Sequence, residues 1–270
     1  MTVDDAAVVR TNTRLSGDFS VLALDARAIA GRAEPGQFVM VKTSPGVTPL
    51  LRRPYSLFEI LRDARGTPTG FSLLVKRVGV GSQLLYDASP GQVFPCLGPL
   101  GRPFVLAAAP ARAWMVAGGV GLAPFAALAE ACRTRGIRPT LFYGARTAAE
   151  LFCLDLFERA GADIVLATED GSRGAMGRVT VPLEQALAGA GAHPPLTLYA
   201  CGPEAMLKQV ATLAVRHGCA SQVSMERLMG CGVGGCYSCV VRVRGAGGES
   251  RYDRVCLDGP VFRGEDVVWD

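Results

Sequence analysis

Four of the nine cysteines lie within a span of 26 residues near the end of the sequence. Four, two and sixteen residues separate successive members, which is the plant-type spacing of 2Fe–2S ligands. Two irons bridged by two sulfides need four thiolates, and the surrounding glycines let a loop close tightly around such a group. The predicted cluster ligands are Cys231, Cys236, Cys239 and Cys256.

Other uses of cysteine fit the sequence less well. A zinc site usually contains two C-x2-C pairs, and only Cys236 and Cys239 form such a pair here. The remaining cysteines are scattered, and we expect four of them, Cys96, Cys132, Cys153 and Cys219, to be small buried hydrophobic residues. The fifth is Cys201.

A second group of residues has the types that a flavin dinucleotide needs. Such a cofactor requires a cation at its pyrophosphate, an aromatic face against its ring and hydrogen-bonding groups at the ring edge. Taken alone, the segment from Arg53 to Ser56 is more typical of a strand start, but the motifs that follow it favour flavin. The predicted FAD-binding residues are Arg53, Pro54, Tyr55 and Ser56, then Leu74, Val75 and Lys76, then Gly81 and Ser82.

A glycine-rich loop after a short apolar strand predicts a site for a nicotinamide nucleotide. Glycines let the backbone approach a pyrophosphate, and the following helix N-terminus favours its charge. The loop lacks the GxGxxG pattern, which disfavours a Rossmann dehydrogenase. At a second strand-to-helix turn, Cys201 is the candidate to face the nicotinamide ring, although burial in a tight turn explains it equally well. The predicted NAD-binding residues are Gly118, Gly119, Gly121, Pro124, Gly202 and Pro203.

The elements that must position these residues change in type along the chain. Short strands separated by turns, such as 19–24, 37–41, 55–58 and 71–75, predict an antiparallel β-barrel. Strands at 113–117, 140–143, 163–167 and 196–200 alternate with helices, which predicts a parallel α/β domain. We expect an FAD-binding barrel at 1–106, an NAD-binding α/β domain at 107–222 and a small 2Fe–2S domain at 223–270. The last is too short for a core of its own.

Composition bounds the class of protein. A formal charge of +4 without basic runs does not suggest nucleic acid, and the longest apolar stretch is interrupted by charges, glycines and prolines, so no membrane span is expected. The first thirty residues show no secretory or transit signal, which favours the cytoplasm, where disulfides do not persist.

The motifs together resemble the ferredoxin–NADP reductase superfamily over essentially the whole chain. The order is flavin barrel, nicotinamide domain and cluster domain. The likeness is strongest to the electron-transfer subunits of class 1B dihydroorotate dehydrogenases. The segments that carry it are 51–56, 80–82, 97–101, 118–124, 225–239 and 254–262. An insertion at residues 245–248 lengthens the interval between Cys239 and Cys256, and we expect this insertion to leave the set of four ligands intact.

The resemblance implies a function in pyrimidine biosynthesis. In that family the subunit pairs with an FMN-containing catalytic subunit that oxidises dihydroorotate, in a complex of two copies of each. Electrons pass from the FMN through the 2Fe–2S cluster to FAD and then to NAD+. The sequence itself shows no acid/base group for a small organic substrate, so we expect that chemistry in the partner.

Two other functions fit the motifs. One is the flavin and iron–sulfur subunit of a related NAD(P)H oxidoreductase, of the ferredoxin-NADP transhydrogenase, sulfide dehydrogenase or sulfhydrogenase type. The other is a cluster-bearing binding module without turnover. The choice between NAD and NADP is open as well, because Arg146 either meets a 2′-phosphate or is simply solvated.

Overall fold

The computed structural model describes residues 2–191, 194–245 and 247–269, and its strands form two large sheets and one hairpin. The first sheet holds seven strands and belongs to the N-terminal region. They are β1 (Val3–Arg14), β2 (Phe19–Asp25), β3 (Phe38–Val41), β4 (Arg53–Ser56), β5 (Glu59–Arg62), β6 (Pro68–Lys76) and β7 (Val93–Leu100).

Every pairing in this first sheet is antiparallel, in the order β4-β3-β7-β1-β2-β6-β5. Two short helices join its strands, α1 (Arg27–Ala30) and α2 (Val80–Tyr86). Apolar residues from β2, β3 and β6 meet in one buried cluster, because alternate residues of a strand point to the same face.

The second sheet is the core of an α/β unit. Its strands are β8 (Arg112–Gly118), β9 (Pro139–Ala145), β10 (Asp163–Thr168), β11 (Ala175–Met176), β12 (Leu196–Cys201), β13 (Ala220–Ser224) and β16 (Val261–Arg263), in the order β11-β10-β9-β8-β12-β13-β16. All neighbours are parallel except β16, which runs antiparallel to β13. These two sheets confirm the predicted combination of an antiparallel β unit and a parallel α/β unit.

Helices cover both faces of the second sheet. They are α3 (Phe125–Thr134), α4 (Leu154–Arg159), α5 (Thr180–Ala188) and α6 (Glu204–Arg216), with short 3-10 helices at Gly119–Leu122 and Ala148–Glu150. The buried face of α6 presents Leu207, Val210, Leu213 and Ala214 to the sheet, as their helical spacing predicts. None of the helices in the described ranges is both long and apolar enough to cross a membrane.

The C-terminal segment forms the hairpin of β14 (Val240–Arg244) and β15 (Ser250–Arg254) and then returns to the second sheet as β16. Its apolar residues share one buried cluster with Met40 of the first sheet and with Val223 of the second. The neighbouring units therefore supply the core that this segment lacks. The division at 106 and 222 stays a prediction; β13 runs across the second boundary.

Candidate functional site

The hairpin brings the two halves of the cysteine group together. Cys239 directly precedes β14 and Cys256 follows β15, and the Val255 amide donates a hydrogen bond to the Cys239 carbonyl at 2.8 Å. At this end of the hairpin the two strands are paired directly, with Val240 opposite Arg254. Extra residues at the opposite, turn end leave the two cysteines adjacent.

The four cysteines associate as two pairs. The side chain of Cys231 lies close enough to Cys236 to act on its pKa, and the side chain of Cys239 lies close enough to Cys256 to act on its pKa. Within the described ranges, no three Cys, His, Asp or Glu side chains converge as ligands of a single metal ion. A 2Fe–2S cluster takes two protein ligands on each iron, so two neighbouring pairs suit it. The donor set fits the predicted cluster.

Hydrogen bonds and burial distinguish the two pairs. Cys239 and Cys256 are buried, whereas Cys236 is exposed. The Ser238 hydroxyl lies 3.1 Å from the Cys236 sulfur and is the main cause that lowers the pKa of Cys236 to about 6. Burial raises the pKa of Cys256 to about 12. One pair therefore faces outward and the other faces the core.

The loop that carries Cys231, Cys236 and Cys239, here called the cysteine loop, is held from both sides. Gly232 adopts φ +74°, and a Cβ there would lie 2.8 Å from the Met40 sulfur, so the loop lies directly against β3. On the other side, Arg254 donates to the Gly234 carbonyl at 3.1 Å and stacks over the Tyr237 ring at 4.8 Å.

The predicted flavin strand lies next to this loop. Arg53–Ser56 is β4, and its Pro54 is the register partner of Met40 in β3. The same Met40 contacts the cysteine loop at Gly232. A single strand thus separates the cysteine loop from the flavin motif.

The first turn of α2 adjoins the Arg53 side chain. A Cβ on Gly81 would lie 3.3 Å from the Arg53 Cγ and 3.4 Å from the Thr43 Oγ1. The Thr43 hydroxyl is buried without a hydrogen-bond partner among the described residues. A close-approach glycine, a guanidinium and an unsatisfied hydroxyl at one place suit a phosphate group. The site fits FAD at this position.

The other predicted flavin residues take different parts. The pairing of β5 with β6 ends at Ser72. Within the described structure, the backbone of Leu74–Lys76 therefore has no neighbouring strand on that side. Its amide and carbonyl groups can hydrogen-bond the edge of the flavin ring. Burial raises the pKa of Tyr55 to about 12, so its phenol is neutral at physiological pH. The Ser82 hydroxyl caps α2, accepting from the Val78 and Gly79 amides at 2.8 and 3.0 Å.

The predicted nicotinamide loops meet at the carboxyl edge of the second sheet. β8 and β12 are adjacent and parallel, and the chain order reverses between them, which is where open α/β sheets bind ligands. A Cβ on Gly121 would lie 2.7 Å from the Gly202 Cα, and one on Gly118 would lie 2.8 Å from the Pro203 Cδ. The two loops therefore touch, and only glycine fits at these contacts. Gly119 adopts φ +55°, and Pro124 immediately precedes α3.

Cys201 ends β12 at this crevice. Burial, with a contribution from the charge of Glu226, raises the pKa of its thiol to about 12, while a hydrogen bond with Ser224 acts in the opposite direction. The side chain is a neutral, polarisable group rather than a nucleophile.

The flavin and nicotinamide regions are also joined. The Ala127 amide in the first turn of α3 donates to the Phe58 carbonyl at 2.8 Å, and Phe58 and Leu74 share a buried cluster with Leu122. Met40, Thr43 and Phe58 are contacts that the sequence analysis missed. Only Thr43 carries a signal, a polar residue beside the apolar strand 38–41.

Two family models match the chain. Residues 226–268 match the iron–sulfur cluster binding domain of dihydroorotate dehydrogenase B, and residues 115–212 match an oxidoreductase NAD-binding domain.

Curated relatives cover most of the chain. The dihydroorotate dehydrogenase B (NAD(+)) electron transfer subunit of Bacillus caldolyticus is 41% identical over 249 residues, which are 92% of this chain and 91% of the relative. The subunit of the same name from Desulforamulus reducens is 36% identical over 250 residues, 92% of each chain.

Solved structures show the same fold. An NADH-dependent reduced ferredoxin-NADP oxidoreductase superposes with a TM-score of 0.83 at 28% identity, over 98% of this chain and 90% of that one. The ferredoxin reductase in carbazole 1,9a-dioxygenase, at 21% identity and a TM-score of 0.68, covers 81% of this chain and 67% of that one, and shows a likeness of fold alone.

Proposed function

Because this chain belongs to the family of dihydroorotate dehydrogenase B electron transfer subunits, we propose that it passes electrons from an FMN-containing catalytic subunit to NAD+ through one 2Fe–2S cluster and FAD. It is an oxidoreductase subunit in pyrimidine biosynthesis, with the organic substrate oxidised by the partner. We place the assembly in the cytoplasm as a heterotetramer with two copies of each subunit.

The residues divide the work among three neighbouring places. Cys231, Cys236, Cys239 and Cys256 hold the cluster; the flavin is held by the groups from Arg53 to Ser82 described above; and the nicotinamide nucleotide lies across Gly118–Gly121 and Cys201–Pro203. FAD supplies the conversion between hydride transfer, which nicotinamide requires, and single-electron transfer, which a 2Fe–2S cluster requires.

One observation carries the proposal. The cysteine loop contacts Met40, and Met40 pairs with Pro54 of the flavin strand. A single buried strand residue therefore links the two predicted redox sites, while the bond from Ala127 to Phe58 links the flavin strand to the nicotinamide domain. These contacts connect the three predicted sites in series, which supports electron transfer between them.

Individual residues of the flavin and nicotinamide sites have specific roles. Arg53 neutralises pyrophosphate charge beside Gly81, and neutral Tyr55 packs against the ring without adding a charge. The small, neutral thiol of Cys201 faces the nicotinamide ring, and the two glycine loops meet at that edge of the sheet.

A visible spectrum of the purified protein, recorded anaerobically before and after NADH is added, tests the function. We expect flavin and iron–sulfur absorption and bleaching of both. Mixing the reduced protein with the FMN-containing partner and orotate then tests reversal of electron flow. A fresh anaerobic preparation with neither chromophore contradicts the proposal.

A second candidate is the flavin and iron–sulfur subunit of a ferredoxin-NADP type oxidoreductase, favoured by the 28% identical structure with a TM-score of 0.83. The relatives at 41% identity favour the dihydroorotate system. Rapid reduction of the protein by ferredoxin, with none by a dihydroorotate-oxidising subunit, reverses this order.

A further inference from the structure

We infer that Glu150 sets the nucleotide preference of this protein, by holding Arg146 away from the nucleotide and repelling a 2′-phosphate. The inference rests on the proposed function, since it concerns the same nicotinamide nucleotide. It assigns the discrimination between NAD and NADP to one ion pair outside the glycine loops.

The position of the pair follows from the sheet. β8 leads into the glycine loop and β9 is its neighbour, with Gly118 opposite Gly144, so the two strands end at the same edge. In doubly wound nucleotide-binding sheets, the residues after the second strand read the 2′ position of the adenosine ribose. Here β9 ends at Ala145, and Arg146 is the next residue.

Arg146 is bound by a carboxylate of its own loop. Its Nε lies 3.2 Å from Glu150 Oε2, and its Nη2 bonds Glu150 Oε1, so the contact is bidentate. The pKa of Glu150 is lowered, chiefly by this hydrogen bond from Arg146, and Glu150 is therefore ionised at neutral pH. The guanidinium cannot offer the same fork to a phosphate while this pair is intact.

The loop that carries Glu150 is fixed in place. The buried Tyr143 phenol donates to the Glu150 carbonyl at 3.0 Å. The amides of Glu169 and Asp170 donate to the carbonyls of Ala145 and Arg146 at 3.1 and 3.2 Å, which ties the ends of β9 and β10 together. A pre-formed loop holds the carboxylate where it is, so a bound nucleotide meets it without rearrangement.

The charge balance at this edge disfavours a dianion. Glu150 neutralises Arg146, and the Glu169 carboxylate also acts on that guanidinium, raising its pKa after the larger effect of Glu150. A ribose with a free 2′-hydroxyl can bond a carboxylate, whereas a 2′-phosphate is repelled by it. The edge is therefore suited to NAD.

The test uses holoprotein and two adenosine fragments, 5′-AMP and 2′,5′-ADP, with dissociation constants measured by calorimetry. We expect Glu150→Gln to tighten 2′,5′-ADP about tenfold, since one charge-assisted contact forms and one repulsion is lost, with little change in 5′-AMP. Adding Arg146→Ala to that variant should reverse the part of the gain that comes from the new Arg146 contact, which separates that contact from the loss of the Glu150 charge.

Glu130→Gln is the matched control, because Glu130 also holds an arginine three residues away through a bidentate contact, but within α3. It should leave both affinities as they are. Failure of Glu150→Gln to improve 2′,5′-ADP, with 5′-AMP bound normally, overturns the inference. Failure of every variant and the wild type to bind 5′-AMP instead contradicts the nicotinamide site of the proposed function.

A second measurement needs no variant. Discrimination by charge weakens as salt screens it, so the wild-type preference for 5′-AMP over 2′,5′-ADP should shrink several-fold between about 0.01 and 1 M ionic strength. A preference that does not change with salt indicates steric exclusion and overturns the role of Glu150.

Discussion

Cys201 is a residue whose reactivity is limited by its surroundings. Burial raises the pKa of its thiol to about 12, so the thiolate is scarce at neutral pH and becomes abundant only near that value. We expect iodoacetamide to label Cys201 at pH 8 more than about 100-fold more slowly than free cysteine, and the rate to rise about tenfold per pH unit. Peptide mapping by mass spectrometry measures this. Fast labelling at pH 8 contradicts a neutral thiol at the nicotinamide crevice.

Gly121 is a residue at which any side chain collides with the opposite loop. The Cβ of Gly121→Ala would lie 2.5 Å from the Cys201 carbonyl carbon and 2.7 Å from the Gly202 Cα, which is backbone that cannot swing away. We expect a loss of about 2 kcal/mol in unfolding free energy and a clearly raised KM for NADH. Urea unfolding and steady-state kinetics measure the two effects.

The matched control for that prediction is Gly189→Ala. Gly189 follows α5 in the same sheet unit, with a negative φ, and its Cβ would lie 3.9 Å from the Ala186 carbonyl oxygen. It should change stability by less than about 0.5 kcal/mol. Equal effects of the two substitutions would show that the contact between the loops is not responsible.

Among the elements, the cysteine loop and β3 are in contact, and this contact connects the predicted cluster site to the predicted flavin site. The Cβ of Gly232→Ala would lie 2.8 Å from the Met40 sulfur, at φ +74°, so the loop must shift away from the strand. Electron-transfer rates fall with distance, and we therefore expect slower reduction of the cluster by NADH with flavin reduction unaffected. Stopped-flow spectroscopy separates the two signals.

Gly248→Ala controls for backbone strain in that experiment. Gly248 also has a positive φ, +86°, but a Cβ there meets nothing within 4 Å. The control should lose some stability and keep the normal rate of cluster reduction. If both variants slow the cluster equally, strain rather than the contact with Met40 is the cause.

Elements with a local signal could be predicted from the sequence. The strands of the α/β unit have regular apolar runs, and the structure places the four predicted strands within one or two residues of the prediction. No local pattern predicts β1, in which Ala7 and Val9 are the buried residues, or β7, which includes Gly98 and Pro99. Tertiary pairing forms these strands against their weak propensities.

The predicted sites also contain parts with a local sequence signal and parts without one. The cysteine spacing is a local requirement of one inorganic group, so it could be recognised without a structure. Contacts such as Gly232 with Met40, or Ala127 with Phe58, join residues far apart in the chain and leave no periodic pattern. The position of the cluster relative to the flavin strand therefore needed the structure.

In the whole molecule, the predicted cluster ligands lie beside an apolar surface. Leu228, Val233, Tyr237 and Leu257 are exposed, with Leu228 at 89%. They belong together, since the Leu228 carbonyl accepts from Ser238, and a Cβ on Gly234 would lie 3.1 Å from Leu257. Exposed apolar groups of this kind mark protein interfaces. We therefore expect the catalytic subunit to dock here, close enough to exchange electrons with the cluster.

Leu228→Asp tests this docking surface. A carboxylate must lose its water when the interface closes, so we expect the affinity for the catalytic subunit to fall at least about tenfold. Sedimentation velocity of the mixed subunits measures it, with iron content and NADH bleaching retained as proof of an intact protein. Val215→Asp is the control, because Val215 is 66% exposed near the C-terminal end of α6 and is not one of the residues of the apolar surface. A complex that Leu228→Asp leaves unchanged, or that both substitutions weaken alike, places the partner on another face and requires a different route for its electrons.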